Sequence, residues 1–167
     1  MNNMDASITE HIPRLRRYAR ALTGDRIAAD DLVQDTLERA WGKLHMWRSG
    51  SDMRAWMFSI MHNIFISLVR KNQLDTVAIG DDALAVATRA TQEDNLQMRD
   101  LASAIAQLPS EYREVILLIG LEQMSYEEVA QVLGIPLGTV MSRLSRGRER
   151  LRKLMAGESA PVLRRVK

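Results

Sequence analysis

Residues 124–153 read MSYEEVAQVLGIPLGTVMSRLSRGRERLRK, and this stretch predicts two short helices joined by a tight turn. Ser125 followed by Glu128 has the spacing of a capping box, in which each side chain accepts a hydrogen bond from the other residue's backbone amide. A helix should therefore begin there. Gly134 tolerates the left-handed backbone that ends many helices. A helix, a glycine turn and a second helix of this length predict a helix-turn-helix.

The second helix should carry a polar stripe on its exposed side. Val140 and Leu144 have the spacing of its core side, and residues three and four apart on the other side share one face. Arg can bind guanine through two hydrogen bonds in the major groove, and Ser or Thr adapts to several base edges. The predicted base-contacting residues are Thr139, Ser142, Arg143 and Arg146. The cations beyond them wind around the helix, so we expect phosphate contacts from Arg148, Arg150, Arg152 and Lys153.

A basic helix is not by itself a DNA-binding element. Arg is a good helix former and suits a helix C-terminus, so an Arg-rich end is more often a solvated face than a binding site. The capping box and the glycine turn shift the balance, and together they favour DNA binding.

Composition favours an all-α fold and narrows the function. The 167 residues include 23 Lys plus Arg, 21 Asp plus Glu and no cysteine, and 46% are hydrophobic with few aromatics. This mixture favours helices over strands. The absence of cysteine excludes disulfides and thiolate metal sites, and no apolar run approaches the roughly 20 residues of a membrane span. We expect a cytoplasmic, soluble protein with no catalytic residues, metal or cofactor.

Hydrophobic periodicity divides the chain into two helical modules. Helical patterns begin near Ile8 and Ala28, and a third pattern places Met57, Ile60, Met61, Ile64 and Leu68 on one side. Periodicity then weakens and acidic residues accumulate, which predicts a flexible acidic linker over residues 72–95. A second helical domain is expected over residues 96–157.

Four blocks of the sequence resemble the extracytoplasmic-function (ECF) sigma factors of bacterial RNA polymerase. In the family's order they are DDLVQDTLERAW (30–41), MRAWMFSIMHNIFISLVRK (53–71), LPSEYREVILL (108–118) and the opening stretch. The resemblance implies a sigma region 2 helical bundle over residues 8–71, which recognises the minus-ten element, and a sigma region 4 over residues 96–157, which recognises the minus-thirty-five element. It implies core RNA polymerase, through the β′ clamp helices and the β flap, and promoter DNA as partners. An anti-sigma factor is a further expected partner.

The same resemblance assigns roles to residues of the first domain. The acidic and amide side of the second helical pattern matches the surface that docks on polymerase, with the residues Asp31, Gln34, Asp35 and Glu38. The alternative is that this side of the helix is only a solvated face. The minus-ten site is expected at the loop from Trp47 to Asp52 and the helix that follows it, with the residues Trp47, Asn63, Arg70 and Lys71. Such a site would hold a flipped base and track the strand with cations.

Three other residues of this domain are assigned by general rules. Trp41 and Trp56 are expected in the core, because large aromatics at helical spacing usually pack there. His62 has no second metal ligand at a useful spacing, so we expect it at the surface or beside a phosphate. In the recognition helix, Met141 and Ser145 depart from the basic and bulkier residues that the family often carries, so the promoter sequence does not follow by analogy.

Three alternatives remain open at this point. A stand-alone helix-turn-helix regulator would explain the C-terminal half but would leave the first domain without a purpose. A sigma mimic that binds an anti-sigma factor would be expected to lose its basic recognition surface, which Arg143 to Lys153 retain. An enzyme is disfavoured because the sequence has no Gly-rich phosphate loop, metal-ligand cluster or nucleophile–base pattern.

Overall fold

The computed structural model describes residues 3–48, 50–79 and 96–157. These residues form α-helices and one short 3₁₀ turn, and no strand occurs within the described ranges. The first group of helices is α1 (Asn3–Glu10), α2 (Ile12–Thr23), α3 (Arg26–Gly42) and α4 (Met53–Ile79), with the 3₁₀ turn Leu44–Met46 after α3. The second group is α5 (Leu96–Gln107), α6 (Ser110–Gly120), α7 (Tyr126–Leu133) and α8 (Leu137–Met155). The predicted all-α fold with two helical domains is confirmed.

The helix predicted from Ile8 onward is interrupted at His11. The His11 amide donates to the carbonyl of Ile8 at 3.1 Å, which closes a tight turn, and α2 starts again at Ile12. Pro13 lies in the first turn of α2 and has no amide to continue the ladder of the preceding helix. The proline therefore separates α1 from α2.

The N-terminal domain, α1 to α4, packs around aromatic and aliphatic side chains. Tyr18 of α2 meets Phe58 of α4 edge to face, with ring centroids 5.1 Å apart. Met57, Ile60, Met61 and Ile64 are buried as predicted, whereas Leu68 is exposed. Trp56 is partly buried against the core. Trp41 is 43% exposed, so its assignment to the core was wrong.

Helix α4 extends beyond the predicted end of the first domain. It continues through residues 72–79, which the sequence pattern assigned to the acidic linker. The chain has no glycine or proline between Met53 and Ile79, so nothing in the backbone stops the helix where the hydrophobic periodicity fades. The rest of the predicted linker, residues 80–95, lies outside the described residues.

The C-terminal domain, α5 to α8, depends on a close crossing of two helices. Gly147 of α8 is buried against α6, and a Cβ added to it would lie 2.8 Å from Cδ1 of Ile116 and 3.2 Å from Cβ of Tyr112. Beyond the crossing, the guanidinium of Arg150 stands 6.0 Å from the centre of the Tyr112 ring. The glycine therefore lets the basic helix approach α6 and fixes its direction.

Arg113 of α6 links the two domains. Its guanidinium donates to the carbonyls of Ile105, Ala106 and Leu108 at 3.1, 2.8 and 2.7 Å, and to the carbonyl of Leu22 at 2.7 Å. Three acceptors belong to the end of α5 and the turn after it, and the fourth belongs to the last turn of α2. Carbonyls at helix C-termini carry partial negative charge, so one cation stabilises the ends of two helices. The pKa of Arg113 lies below its usual value because the guanidinium is partly buried, and nearby Glu114 offsets part of this decrease.

We expect Arg113→Met to destabilise the C-terminal domain by about 3 kcal/mol, because hydrogen bonds to charged groups contribute about 1.5 to 3 kcal/mol each and water can replace only some of them. Urea unfolding followed by circular dichroism measures this change. The matched control is Arg152→Met at an exposed position of α8, which should change stability by less than about 0.5 kcal/mol. Equal stability of the two variants would contradict the role of Arg113.

Candidate nucleic-acid and polymerase interfaces

The predicted helix-turn-helix is present as α7 and α8. The Ser125 hydroxyl accepts from the Glu128 amide at 3.1 Å, and the Glu128 carboxylate accepts from the Ser125 amide at 3.2 Å, so the capping box is complete. Gly134 has φ 64° and ψ 38°, the left-handed conformation expected of it. The amide of Ile135 then donates to the carbonyl of Ala130 at 3.1 Å and closes the turn. The capping box and the Gly134 turn, both predicted from the sequence, therefore determine how α8 follows α7.

The predicted DNA-contacting residues of α8 fall into two groups. Ser142, Arg146, Arg148 and Arg150 are exposed, and Val140 and Leu144 on the opposite side are buried. Thr139 and Arg143 are half-buried. Arg143 pairs with Glu111 of α6 at 3.8 Å rather than standing free on the surface. An exposed cationic face therefore runs along the C-terminal half of α8 from Arg146 onward, interrupted by the exposed Glu149, with Arg143 at its edge.

A groove beside this face was not foreseen from the sequence. It has a volume of about 460 Å³ and lies between the start of α7 and the middle of α8. Tyr126 and Met141 line it together with Arg148 and Arg152, and Met141 is 52% exposed. Met141 therefore offers an apolar contact at the position where the family often has a basic residue.

The predicted polymerase-docking residues lie together on α3. Asp31, Gln34, Asp35 and Glu38 are all exposed, and the Gln34 amide donates to the Glu38 carboxylate at 3.4 Å. The sequence reasoning missed the apolar residues at the two ends of this row. Ile27 is 73% exposed and Trp41 is 43% exposed, and helical spacing places both on the acidic side of the helix. An acidic row flanked by two large apolar side chains has the composition of a protein-binding surface, in which aromatic anchors supply much of the affinity.

The predicted minus-ten residues lie along α4 and the loop before it. Asn63, Arg70 and Lys71 are exposed on α4. Trp47 is half-buried, and its indole N–H is buried without a hydrogen-bond partner in the described part of the chain. Ser49, in the middle of this loop, lies outside the described residues. The helix itself starts where the Asp52 carboxylate accepts from the Ala55 amide at 3.3 Å.

Two carboxylates are buried where the two domains meet. Glu114 of α6 is 2% exposed and contacts Nδ1 of His62 on α4. His62 is therefore half-buried between the domains, and its predicted surface position was wrong. Burial raises the pKa of Tyr18 well above its usual range, and the carboxylates of Glu114 and Glu122 raise it further.

Two arginines of the N-terminal domain also bind residues of the C-terminal domain. Arg54 donates to the carbonyl of Glu122 at 3.1 Å and to the carboxylate of Glu128 at 3.3 Å. Arg17 pairs with the Glu122 carboxylate at 3.5 Å. Glu122 is 2% exposed, and its second oxygen has no partner among the described residues. Glu128 thus serves both the capping box of α7 and the contact between the domains.

A cleft between the domains brings together residues predicted for two different DNA elements. It has a volume of about 240 Å³, and Arg70 of α4 and Arg143 of α8 both line it. His62, Glu111 and Glu114 also line the cleft. The described arrangement is therefore a closed one, in which part of each predicted DNA surface faces the other domain.

The described residues contain no group of three or more potential ligands that could hold a metal ion. Within the same ranges, no helix has both the length and the apolar composition needed to cross a membrane.

Both helical domains match known protein families. Residues 8–62 match the family model of the Sigma2 domain of PhyR, and residues 98–151 match that of Sigma-70, region 4. The chain is 35% identical over 150 residues to the ECF RNA polymerase sigma factor EcfG of Rhodopseudomonas palustris, covering 89% of this chain and 83% of that protein. It is 32% identical over 144 residues to the ECF RNA polymerase sigma factor SigM of Bacillus subtilis, covering 83% of this chain and 86% of that protein.

Among solved structures, the chain is similar to the sigma factor RpoE of Bartonella quintana in complex with the anti-sigma factor NepR. The TM-score is 0.83 and the sequence identity 35%, and the match covers 95% of this chain and 100% of that one. The matches to sigma factors span most of this chain and most of each matched protein. The chain therefore belongs to the ECF RNA polymerase sigma factors.

Proposed function

We propose that this ECF sigma factor divides its work among three surfaces. The exposed basic face of α8 reads the minus-thirty-five element as duplex DNA. The loop from Trp47 to Asp52 and the exposed face of α4 capture the minus-ten element, and the acidic row of α3 docks on the β′ clamp helices of core polymerase. The C-terminal domain also meets the β flap. On this proposal residues 8–71 act as region 2 and residues 96–157 as region 4.

The observation that carries this proposal is the separation of chemistry among the helices. An exposed cationic face on a helix-turn-helix suits duplex DNA, whereas an exposed acidic face with apolar ends on α3 suits a basic protein helix. A stand-alone regulator would need only the first of these surfaces, and the ECF sigma relatives do not favour it. A mimic that never touches DNA would have no use for the exposed arginines of α8.

Simultaneous binding of both promoter elements requires the closed arrangement to open. Elements at minus thirty-five and minus ten are about 25 base pairs apart, or roughly 85 Å at about 3.4 Å per step. A compact protein of this length is only roughly 40 Å across. We therefore propose that binding to core polymerase separates the domains.

We further propose that an anti-sigma factor controls this protein. The support is the 35% identity to RpoE, which is described in complex with the anti-sigma factor NepR. An inhibitor that stabilised the closed arrangement would keep Arg70 and Arg143 facing one cleft. The protein itself carries no catalytic role on this proposal, because phosphodiester chemistry belongs to the core enzyme. It acts in the cytoplasm, where polymerase and promoter DNA are found.

We expect Arg146→Ala to weaken binding at the minus-thirty-five element by about 1 to 3 kcal/mol and to relax base discrimination there. Holoenzyme binding to a set of single-base variants of the element measures both effects. The matched comparison is Arg148→Ala, which should weaken all sequences equally and reduce the salt dependence. Unchanged discrimination with Arg146→Ala would reject its role as a base reader.

We expect Asp35→Lys to lower the affinity for core polymerase by about tenfold or more, since it places a cation in a surface that faces a basic partner. Fluorescence anisotropy with labelled sigma factor and core enzyme measures this affinity. Circular dichroism should stay the same, because Asp35 is exposed. The control is Glu10→Lys, a charge reversal at an exposed position outside α3, and equal core affinity of both variants would reject the docking assignment.

A further inference from the structure

The contact between the domains has a consistent polarity in its side-chain charge pairs. The N-terminal domain supplies the cationic or protonatable partners, Arg17, Arg54 and His62, and the C-terminal domain supplies the carboxylates, Glu122, Glu128 and Glu114. Arg113 crosses in the opposite direction, but onto a backbone carbonyl rather than a carboxylate. The overall charge of the chain, +2, gives no reason for such sorting.

Burial of the carboxylates in this contact adds little net stability to the closed arrangement. Glu114 and Glu122 are each 2% exposed, and one oxygen of Glu122 has no partner in the described structure. Buried ion pairs often break even, because desolvation offsets the attraction between the charges. When the domains separate, the two carboxylates return to water. Arg54 and His62 then lose their acidic partners and face outward on α4.

The exposed side chains would lie near two parts of the proposed minus-ten surface, Arg54 at the loop end and His62 about 100° around α4 from Asn63. His62 directly precedes Asn63 on α4, and Arg54 follows the loop from Trp47 to Asp52 by two positions. From Arg54 to Lys71 the helix is about 25 Å long. We expect a strand that passes from the loop to Arg70 and Lys71 to run along this helix. A carboxylate and a phosphate present the same kind of oxygen acceptor to a guanidinium.

We propose that Arg54 and His62, with Arg17 at their edge, bind phosphates of promoter DNA in the open protein, and that Glu128, Glu114 and Glu122 occupy this surface in the closed one. The C-terminal domain thereby acts as an internal substitute for the DNA backbone. This inference rests on the proposed function, since the surface becomes available only when the domains separate on polymerase.

The test measures how promoter binding depends on salt concentration, with holoenzyme that is assembled before promoter DNA is added. A lost phosphate contact lowers the slope of log K against log salt by about 0.7 for a single strand and about 0.9 for a duplex. Arg54→Gln should lower the slope by this amount and weaken promoter binding at every salt concentration. Arg54→Lys retains the charge and should restore most of the slope. The control is Arg26→Gln at an exposed position of α3, which should leave the slope unchanged.

The outcomes separate this inference from the proposed function. If Arg54→Gln holoenzyme transcribes but has the wild-type slope, Arg54 serves only the contact between the domains and the inference is overturned. A normal slope with weaker core binding would assign Arg54 to a protein partner, which also overturns it. If the wild-type chain fails to support transcription with core polymerase, the proposed function is wrong instead.

A second measurement uses the free chain and a single-stranded oligonucleotide of arbitrary sequence. Glu114→Gln removes a carboxylate from the contact without altering any cation of the N-terminal domain. We expect this variant to bind the oligonucleotide several-fold more tightly than the wild type, and the double variant Glu114→Gln/His62→Gln to lose most of the gain, because His62 is the partner of Glu114. No gain, or a gain that survives the loss of His62, would overturn the inference.

Discussion

The closed arrangement of this protein requires that two buried carboxylates keep their partners where the two domains meet. Glu114 and Glu122 are each 2% exposed, and they are tolerated there because His62 and Arg17 stand opposite them. Such pairs add little net stability when complete, but removing one partner leaves a buried charge and is strongly destabilising. The charged pairs between the domains should therefore break together rather than one at a time. That property suits the separation of the domains that we propose on polymerase.

Apolar side chains of both domains belong to one buried cluster, so the charged pairs are only part of what holds the domains together. The helix-turn-helix closes its own ends through the capping box and the Gly134 turn. Glu128 belongs both to this motif and to the contact between the domains, because its carboxylate accepts both from the Ser125 amide and from Arg54. If Arg54 leaves, the capping bond remains. The recognition helix can therefore keep its geometry while the contact between the domains is lost.

The sequence predicted what local chemistry decides. Ser125, Glu128 and Gly134 act within a few residues of themselves, and the capping box and turn formed as expected. The sequence could not predict features that depend on the other domain or on a partner. His62 looked like a surface residue because Glu114, its partner, is 52 positions away. Trp41 was placed in the core by residue type, although it ends an acidic row that faces outward. The linker boundary was too early because fading hydrophobicity does not end a helix that lacks a glycine or proline.

Measuring the distance between the domains tests their separation most directly. The chain has no cysteine, so single cysteines at the exposed positions Lys43 and Gln131 can carry a donor and an acceptor dye for single-molecule energy transfer. The free protein should show one short distance, and the complex with core polymerase and promoter DNA should show a distance longer by tens of ångströms. The same short distance in a transcribing complex would contradict the account.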